Sequence, residues 1–376
     1  MNLPYWVRSV HDSAVNLKAL GPAASLTASL STAATVAAIV AAALGADHLI
    51  VFGLSAGALA GLATLIGQAT EQLGHRFGPR TTGILQSALG NLPELFISIF
   101  ALQAGLVVVV QTALIGSILA NTLLVLGLAF LLGGLKHGTQ QFHGPAVRAM
   151  ATLLVLSVAA LAIPTLATAP GAPDAGHAVD LSVIVSLVLL VIFAASIPFS
   201  LGGGPGASAE VEDLSVERVW PLRLTIAMLL LGAVGAAFTS DLFVNALRPT
   251  MASLRISEAF VGLVIVAIAG NAVEHVVGVQ MAMRNKPDLA TSLILNSSLQ
   301  VAVALTPALV LISLFVGGDP MTLVLSPLLL GSVALAAILA ALIVFDGEST
   351  WLEGLALLGL YVIIAASVWF GPPIQV

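Results

Sequence analysis

Long apolar stretches with few polar side chains recur along the chain, separated by short polar connections. A helix that crosses a bilayer needs about 20 mainly apolar residues, whereas a membrane barrel strand shows about ten residues of alternating polarity. The stretches have helix length and lack that alternation, so they predict an all-α integral membrane protein with about eleven transmembrane helices. The predicted helices are 24–44, 48–69, 81–103, 106–133, 146–168, 179–201, 221–246, 256–283, 289–316, 321–345 and 350–370.

Composition narrows the class of protein further. Of the 376 residues, 59% are hydrophobic and 8% are charged, whereas charged residues make up about 25% of a soluble domain. So few charges cannot cover a water-facing surface, which excludes a soluble enzyme, a nucleic-acid binder and a disordered protein. The chain has no cysteine, which excludes disulfides and cysteine-ligated metals. The lipid bilayer is the expected surrounding.

The basic residues predict how the helices are oriented, because cytoplasmic connections are enriched in lysine and arginine. With the N-terminus in the cytoplasm, ten of the twelve basic residues lie on the cytoplasmic side, and only Arg248 and Arg255 lie outside. Eleven helices then place the C-terminus outside. The short connections and the lack of a signal sequence favour a bacterial inner membrane, while the oligomeric state is left open.

A short motif, G-N-x-x-E, occurs at 90–94 and again at 270–274, a distance of 180 residues. In the next predicted helix, Ser117 corresponds to Ser297 at the same distance. Five predicted helices separate the two copies, so the copies run in opposite directions through the bilayer. Inverted repeats are typical of secondary transporters, whose site lies near the midplane between the repeats.

This repeat predicts how the chain is organised. The predicted parts are an N-terminal tail with the first helix (1–47), a first five-helix repeat (48–201), a cytoplasmic acidic linker (202–220) and a second five-helix repeat (221–376).

Glu94 and Glu274 lie in the middle of predicted helices, where a charged side chain costs about 2.5–3.5 kcal/mol on insertion scales. The same residue at the same depth in both repeats favours a functional role over a structural, protonated glutamate. Gly90 and Gly270 allow close helix approach or local unwinding. Pro93 removes a backbone donor immediately before Glu94.

Neutral oxygen ligands accompany the two carboxylates. Each motif supplies an asparagine amide and each following helix a serine hydroxyl, namely Asn91, Asn271, Ser117 and Ser297. Two carboxylates with several neutral oxygens suit a hard cation, and Ca²⁺ takes six to eight oxygen ligands. Facing carboxylates repel each other, so protons would compete with the cation for the same oxygens. That competition predicts an antiporter that holds either Ca²⁺ or protons, with no cofactor.

Three segments carry a resemblance to a known family: ATEQLGHRFGPRTTGILQSALGNLPELFISIFAL (69–102), LIGSILANTLLVLG (114–127) and ISEAFVGLVIVAIAGNAVEHVVGVQMAMRNKPDL (256–289). They resemble the signature segments of the cation/proton exchangers in the Ca²⁺/cation antiporter superfamily. The resemblance extends from about residue 48 to the end. It implies that protons are the coupling ion and that Glu94 and Glu274 are the central cation ligands.

The same resemblance implies a pathway for protons or cations and an acidic helix at 206–218. Glu71 and Glu258, near the ends of the site helices, are its candidate pathway residues. His275 and Gln300, which lie beside the predicted ligands, are added to this pathway.

Two alternatives remain at this point. One is a cation antiporter that exchanges Na⁺ or K⁺ for protons, or that is coupled to Na⁺. The other is an intramembrane enzyme that uses the two glutamates as an acid/base or Mg²⁺ pair. The enzyme would require an asymmetric site and an aspartate-rich loop, and the sequence contains a symmetric motif and no such loop.

Overall fold

The computed structural model describes residues 20–77, 89–142, 144–201, 219–316 and 318–369. Within these ranges the chain forms twelve helical segments. They are α1 (Gly21–Ala43), α2 (His48–Phe77), α3 (Leu92–Gln103), α4 (Val107–His137), α5 (Pro145–Ala167), α6 (Ala178–Leu201), α7 (Leu222–Leu254), α8 (Glu258–Gly270), α9 (Ala272–Met283), α10 (Pro287–Val316), α11 (Pro327–Asp346) and α12 (Trp351–Trp369).

The described helices confirm an all-α membrane fold. Nine of them are long and apolar enough to cross a membrane, and the pair α8 and α9, bent by 66°, is together long and apolar enough for a tenth span. The predicted helix 81–103 is described only from residue 89, and its helix α3 is a segment of 12 residues that begins at Leu92. The backbone turns at each G-N motif, so the predicted runs 81–103 and 256–283 each contain a break, at the glycines where local unwinding was expected.

The predicted helix 321–345 starts too early, since α11 begins at Pro327. Residues 319–325 contain no helix, although three of their apolar side chains are buried. Side chains of neighbouring helices bind this backbone; for example, Thr165 Oγ1 donates to Leu323 O at 3.0 Å. The apolar pattern predicts correctly that these residues are buried. It does not show which groups form hydrogen bonds with their backbone N–H and C=O groups.

Two other predicted helices are longer than the apolar pattern suggested. α7 continues to Leu254 through an internal proline, Pro249, and α2 continues to Phe77. Their extra turns contain polar side chains that other parts of the fold cover, such as Thr250 and Gln72. Predicted linker residues 202–218 lie outside the described residues.

Backbone conformation confirms the two-repeat architecture. α3 and α9 have the same length and their ends lie 180 residues apart. α4 contains a π-helical turn at Ala120–Val125, and α10 contains one at Val301–Leu305. Left-handed residues also recur at this distance. They are Gly105 (φ 71°) with Asn285 (φ 60°), and Gly138 (φ 78°) with Gly318 (φ 83°).

The helices that follow the G-N-x-x-E motifs form the centre of the molecule. Buried residues make up 83% of the spanning window of α4 and 56% of that of α10, compared with 11% for α1 and 17% for α6. Close backbone contact occurs where α4 crosses α8. A Cβ added to Gly116 would lie 2.4 Å from the carbonyl oxygen of Leu263.

One face of the bundle is built from connections that contact each other, and we call it the Lys136 face. Strand β1 (Gln140–Gln141) follows α4 and pairs antiparallel with strand β2 (Glu348–Ser349), which follows α11. Lys136 Nζ donates to the carbonyl of Met283, at the end of α9, at 3.0 Å. The ends of α4, α9 and α11 therefore lie together.

The opposite face, which we call the Arg248 face, joins a second set of connections. Arg248 Nη2 donates to the carbonyl of Ala104 at 2.6 Å, just after α3. Ser257 Oγ donates to the carbonyl of Val368 at 2.6 Å, near the end of α12. The end of α12 therefore lies beside the start of α8.

Candidate cation-binding site

Both glutamates lie in the first turn of a short helix. Glu94 is in the first turn of α3 and Glu274 in the first turn of α9. The N-terminus of a helix carries a partial positive charge, which favours an anionic side chain there. Pro93 also lies in this first turn, where a backbone N–H has no helical partner anyway. Pro93 thus begins a helix and does not interrupt one.

Gly270 brings the two motifs into contact. A Cβ added to Gly270 would lie 2.3 Å from Cγ of Glu94, closer than real Cβ atoms approach another atom. Only glycine therefore admits the Glu94 side chain at this point. Gly270 therefore has both of the roles predicted for it. Its missing side chain allows the close approach of Glu94, and helix α8 ends at this residue, which is the local unwinding.

Glu94 is almost sealed from solvent, at 4% exposed. Its Oε1 accepts hydrogen bonds from Ser117 Oγ and from Asn271 Nδ2 at 2.6 Å. Asn271 Nδ2 also lies 3.0 Å from Ser117 Oγ. The Glu94 carboxylate, in the first repeat, therefore accepts hydrogen bonds from an amide of the second repeat and from a hydroxyl of the first repeat.

Three buried oxygens of this cluster accept no hydrogen bond from the described residues. They are Glu94 Oε2, Asn271 Oδ1 and Asn121 Oδ1. Buried acceptors of this kind are normally satisfied, and carboxylate and amide oxygens are the ligands that a hard cation such as Ca²⁺ takes. Within the described residues no three acidic, histidine or cysteine side chains are grouped, so any cation here would depend on amide and hydroxyl oxygens too.

Asn121, four residues after Ser117, also belongs to this cluster. It is fully buried in the π-helical turn of α4, and its Nδ2 donates to Ser297 Oγ at 3.0 Å. Ser297 itself is 5% exposed. The spacing of four residues between Ser117 and Asn121 is the signal that would have indicated a shared helix face.

Glu274 has different surroundings from Glu94. Its side chain is half-buried and close enough to Glu94 for the two carboxylates to repel each other. Asn91 is half-buried at the start of α3, where its side chain does not cap the helix. Neither Glu274 nor Asn91 has a side-chain hydrogen bond with another described residue. His275, next to Glu274, has a buried Nε2 with no described partner.

The other predicted pathway residues lie on α2, α8 and α10. Glu71 is half-buried on α2, near the end of that helix, and Glu258 is half-buried in the first turn of α8. Gln300 is buried on α10, three residues after Ser297. Arg76 Nη2 donates to the carbonyl of Trp220 at 2.8 Å, which places the Glu71 end of α2 beside the start of α7.

Comparison with known proteins adds to this geometry. The family profile described as "Sodium/calcium exchanger protein" matches residues 48–202 and 224–370. The Ca(2+)/H(+) antiporter of Synechocystis sp. is 36% identical over 348 residues, covering 88% of this chain and 93% of that protein. The Ca(2+)/H(+) antiporter ChaA of Bacillus subtilis is 34% identical over 322 residues, covering 84% and 91%.

A solved structure is similar over almost its whole length. The structure of native YfkE superposes with a TM-score of 0.79 at 31% identity, covering 91% of this chain and 99% of that one. The resemblance to cation/proton exchangers that the sequence motifs carry is confirmed, and the enzyme alternative is not supported. The chain therefore belongs to the sodium/calcium exchanger protein family.

Proposed function

We propose that the protein exchanges Ca²⁺ for protons across the membrane by alternating access. The observation that carries this proposal is the buried cluster at Glu94, where the two repeats meet and three acceptor oxygens have no hydrogen bond within the part of the chain that the structure describes. Similar relatives from Synechocystis sp. and Bacillus subtilis are named Ca(2+)/H(+) antiporters. The chemistry of the oxygens and the names of the relatives support the same substrates.

Glu94 and Glu274 are the charged ligands of this proposal. Two carboxylates neutralise a divalent cation, and without one their mutual repulsion favours protonation. The neutral ligands are Asn91, Asn271, Ser117 and Ser297. Glu71, Glu258, His275 and Gln300 form the route by which ions or protons reach the site. Ca²⁺ and protons cannot occupy the same oxygens together, so each turn of the site carries one or the other.

Transport in proteoliposomes tests the proposal. Addition of Ca²⁺ to vesicles with an imposed pH gradient should dissipate the gradient, and Glu94→Gln or Glu274→Gln should abolish this response. Glu348→Gln, at an exposed position of strand β2, is the matched control and should exchange like the unmodified protein. Exchange retained in both site variants would overturn the assignment of the ligands.

The same vesicles distinguish the coupled ions. Replacement of Ca²⁺ by Na⁺ or K⁺ should leave the pH gradient intact; dissipation by a monovalent ion alone would favour the other exchanger class. The apparent affinity for Ca²⁺ should rise as pH rises, because fewer protons then compete for the carboxylates. An affinity that does not change with pH would contradict shared binding.

The proposal includes the arrangement in the membrane: a bacterial inner membrane, the N-terminus and Lys136 face in the cytoplasm, and the C-terminus and Arg248 face outside. The repeats are assigned to 48–201 and 221–376, joined by the linker 202–220. Since the chain has no cysteine, single-cysteine variants can test the sidedness. In intact cells an impermeant thiol reagent should label Arg255→Cys and spare Thr139→Cys, and the reverse pattern would invert the arrangement.

A further inference from the structure

The two helices that carry the glutamates end in the same way at opposite faces. After α3 the chain turns through left-handed Gly105, and Leu106 N donates to Ala101 O at 2.8 Å. After α9 it turns through left-handed Asn285, and Lys286 N donates to Met281 O at 3.0 Å. This cap satisfies some terminal carbonyls and leaves others for donors from elsewhere.

At the Arg248 face, the donor for α3 comes from the second repeat. Arg248 projects from α7, and its Nη2 donates to Ala104 O at 2.6 Å. The guanidinium group lies against this turn, since a Cβ added to Gly105 would be in ordinary van der Waals contact with Nη2, at 3.6 Å. The end of the Glu94 helix is therefore held by a cation of the other repeat.

At the Lys136 face, the donors for α9 come from the first repeat. Lys136 Nζ and His137 Nε2, at the end of α4, lie 3.0 Å and 2.8 Å from Met283 O. Gln140 Nε2 donates to Ala282 O at 3.0 Å. The end of the Glu274 helix is therefore also held from the opposite repeat, by a different set of side chains.

The physical basis of this arrangement is the charge at the end of a helix. Unpaired carbonyls give the C-terminus a partial negative charge, so a cation that binds them fixes the end of the helix. A helix of 12 residues is about 18 Å long and transmits a displacement of its end to its first turn. The first turns of α3 and α9 contain Glu94 and Glu274.

We propose that Arg248, and Lys136 together with His137, are positioning residues for ion binding. Each set anchors the glutamate-bearing helix of the opposite repeat and so determines where that carboxylate lies. This proposal rests on the proposed Ca²⁺/H⁺ exchange, in which the carboxylates bind the ion. The residues act through α3 and α9 and touch no ion themselves.

Exchange kinetics test the role of Arg248. In Arg248→Gln the KM for Ca²⁺ should rise about fivefold with kcat within about twofold, since the carboxylate is displaced while the transport cycle is intact. Arg248→Lys retains the cation and should restore the KM. Arg255→Gln is the matched control, because Arg255 is exposed just beyond the end of α7 and its side chain forms no hydrogen bond with the described residues.

The second anchor is tested in the same way. The double variant Lys136→Gln with His137→Gln should also raise the KM for Ca²⁺ several-fold. Arg223→Gln, exposed in the first turn of α7, is its control. An unchanged KM in both anchor variants, or a loss of kcat and of Tm without a change in KM, would overturn the positioning role.

Hydrogen exchange separates this proposal from the proposed function. In Arg248→Gln the amides of residues 104–106 should exchange faster, and in Arg248→Lys and Arg255→Gln they should not. If the unmodified protein did not transport Ca²⁺ against protons, the proposed function would fail. Faster amide hydrogen exchange at 104–106 in Arg248→Gln would still support the anchor. Unchanged hydrogen exchange in Arg248→Gln would overturn the anchor even in an active exchanger.

Discussion

The two glutamate motifs share the G-N-x-x-E pattern but have different surroundings. Glu94 is 4% exposed and accepts hydrogen bonds from Ser117 and Asn271. Glu274 is half-buried and accepts none from another described residue. Ser297, the counterpart of Ser117, is bound instead by Asn121. One molecule therefore contains two arrangements of a single motif.

This difference is informative for a transporter built from inverted repeats. If each repeat can adopt either arrangement, swapping the two arrangements between the repeats would open the site to the other side of the membrane. This swap cannot be fully symmetric, because the residue that corresponds to Asn121 in the second repeat is Val301. The first repeat thus provides an amide that the second lacks.

The largest expected effect comes from Gly270→Ala, which fills the space that the Glu94 side chain occupies. The added methyl group would overlap Cγ of Glu94 and displace the carboxylate from Ser117 and Asn271. We expect kcat/KM for Ca²⁺ to fall at least about tenfold, a loss of about 1.4 kcal/mol. Steady-state exchange in proteoliposomes measures it.

Gly57→Ala is the control for this variant. Gly57 is an exposed glycine of α2, and an added Cβ meets no other atom within 4 Å. Its exchange should match that of the unmodified protein. Normal exchange by Gly270→Ala would show that the sealed arrangement of Glu94 is not needed.

A smaller effect should distinguish the two asparagines of the repeated motif. Asn271→Ala removes a hydrogen bond to a buried carboxylate, and such bonds contribute about 1.5–3 kcal/mol. The KM for Ca²⁺ should therefore rise about tenfold. Asn91→Ala removes no hydrogen bond seen in this arrangement and should raise the KM by about threefold or less. Equal effects would contradict the difference between the two motifs.

The smallest effect should come from the two serines. Ser117→Ala removes a donor to Glu94, while Ser297→Ala removes only an acceptor for Asn121. We expect the KM for Ca²⁺ to rise about threefold in Ser117→Ala and about twofold in Ser297→Ala. Titration of exchange against Ca²⁺ concentration compares them, and a larger effect of Ser297→Ala would reverse the comparison.

Much of the fold was predictable because apolar length and repetition are local properties of the chain. The runs at 146–168 and 350–370 predict α5 and α12 to within two residues. The run at 321–345 failed, because Leu323 and its neighbours are apolar but bind side chains through their backbone. The break between Gly270 and Ala272 was also missed as a boundary, since apolar residues continue on both sides of it.

The candidate site was predictable in its members but not in its geometry. Glu94, Asn271 and Ser117 were all proposed as ligands, each within its own repeat. The sequence contained no sign that Asn271 bonds to the glutamate of the other repeat. The place of Asn121 in the site was missed as well, because only the fold shows that its Oδ1 is buried without a hydrogen-bond partner among the described residues.

By itself, the sequence determined the class of the protein and the identity of the repeated residues. Scarce charge requires a membrane, and a glutamate motif repeated after 180 residues and five predicted helices predicts an inverted pair. Only the tertiary structure decided which glutamate is sealed and which repeat anchors it. These properties depend on contacts between distant residues, such as the 177 positions between Glu94 and Asn271, and a local pattern contains no information about such contacts.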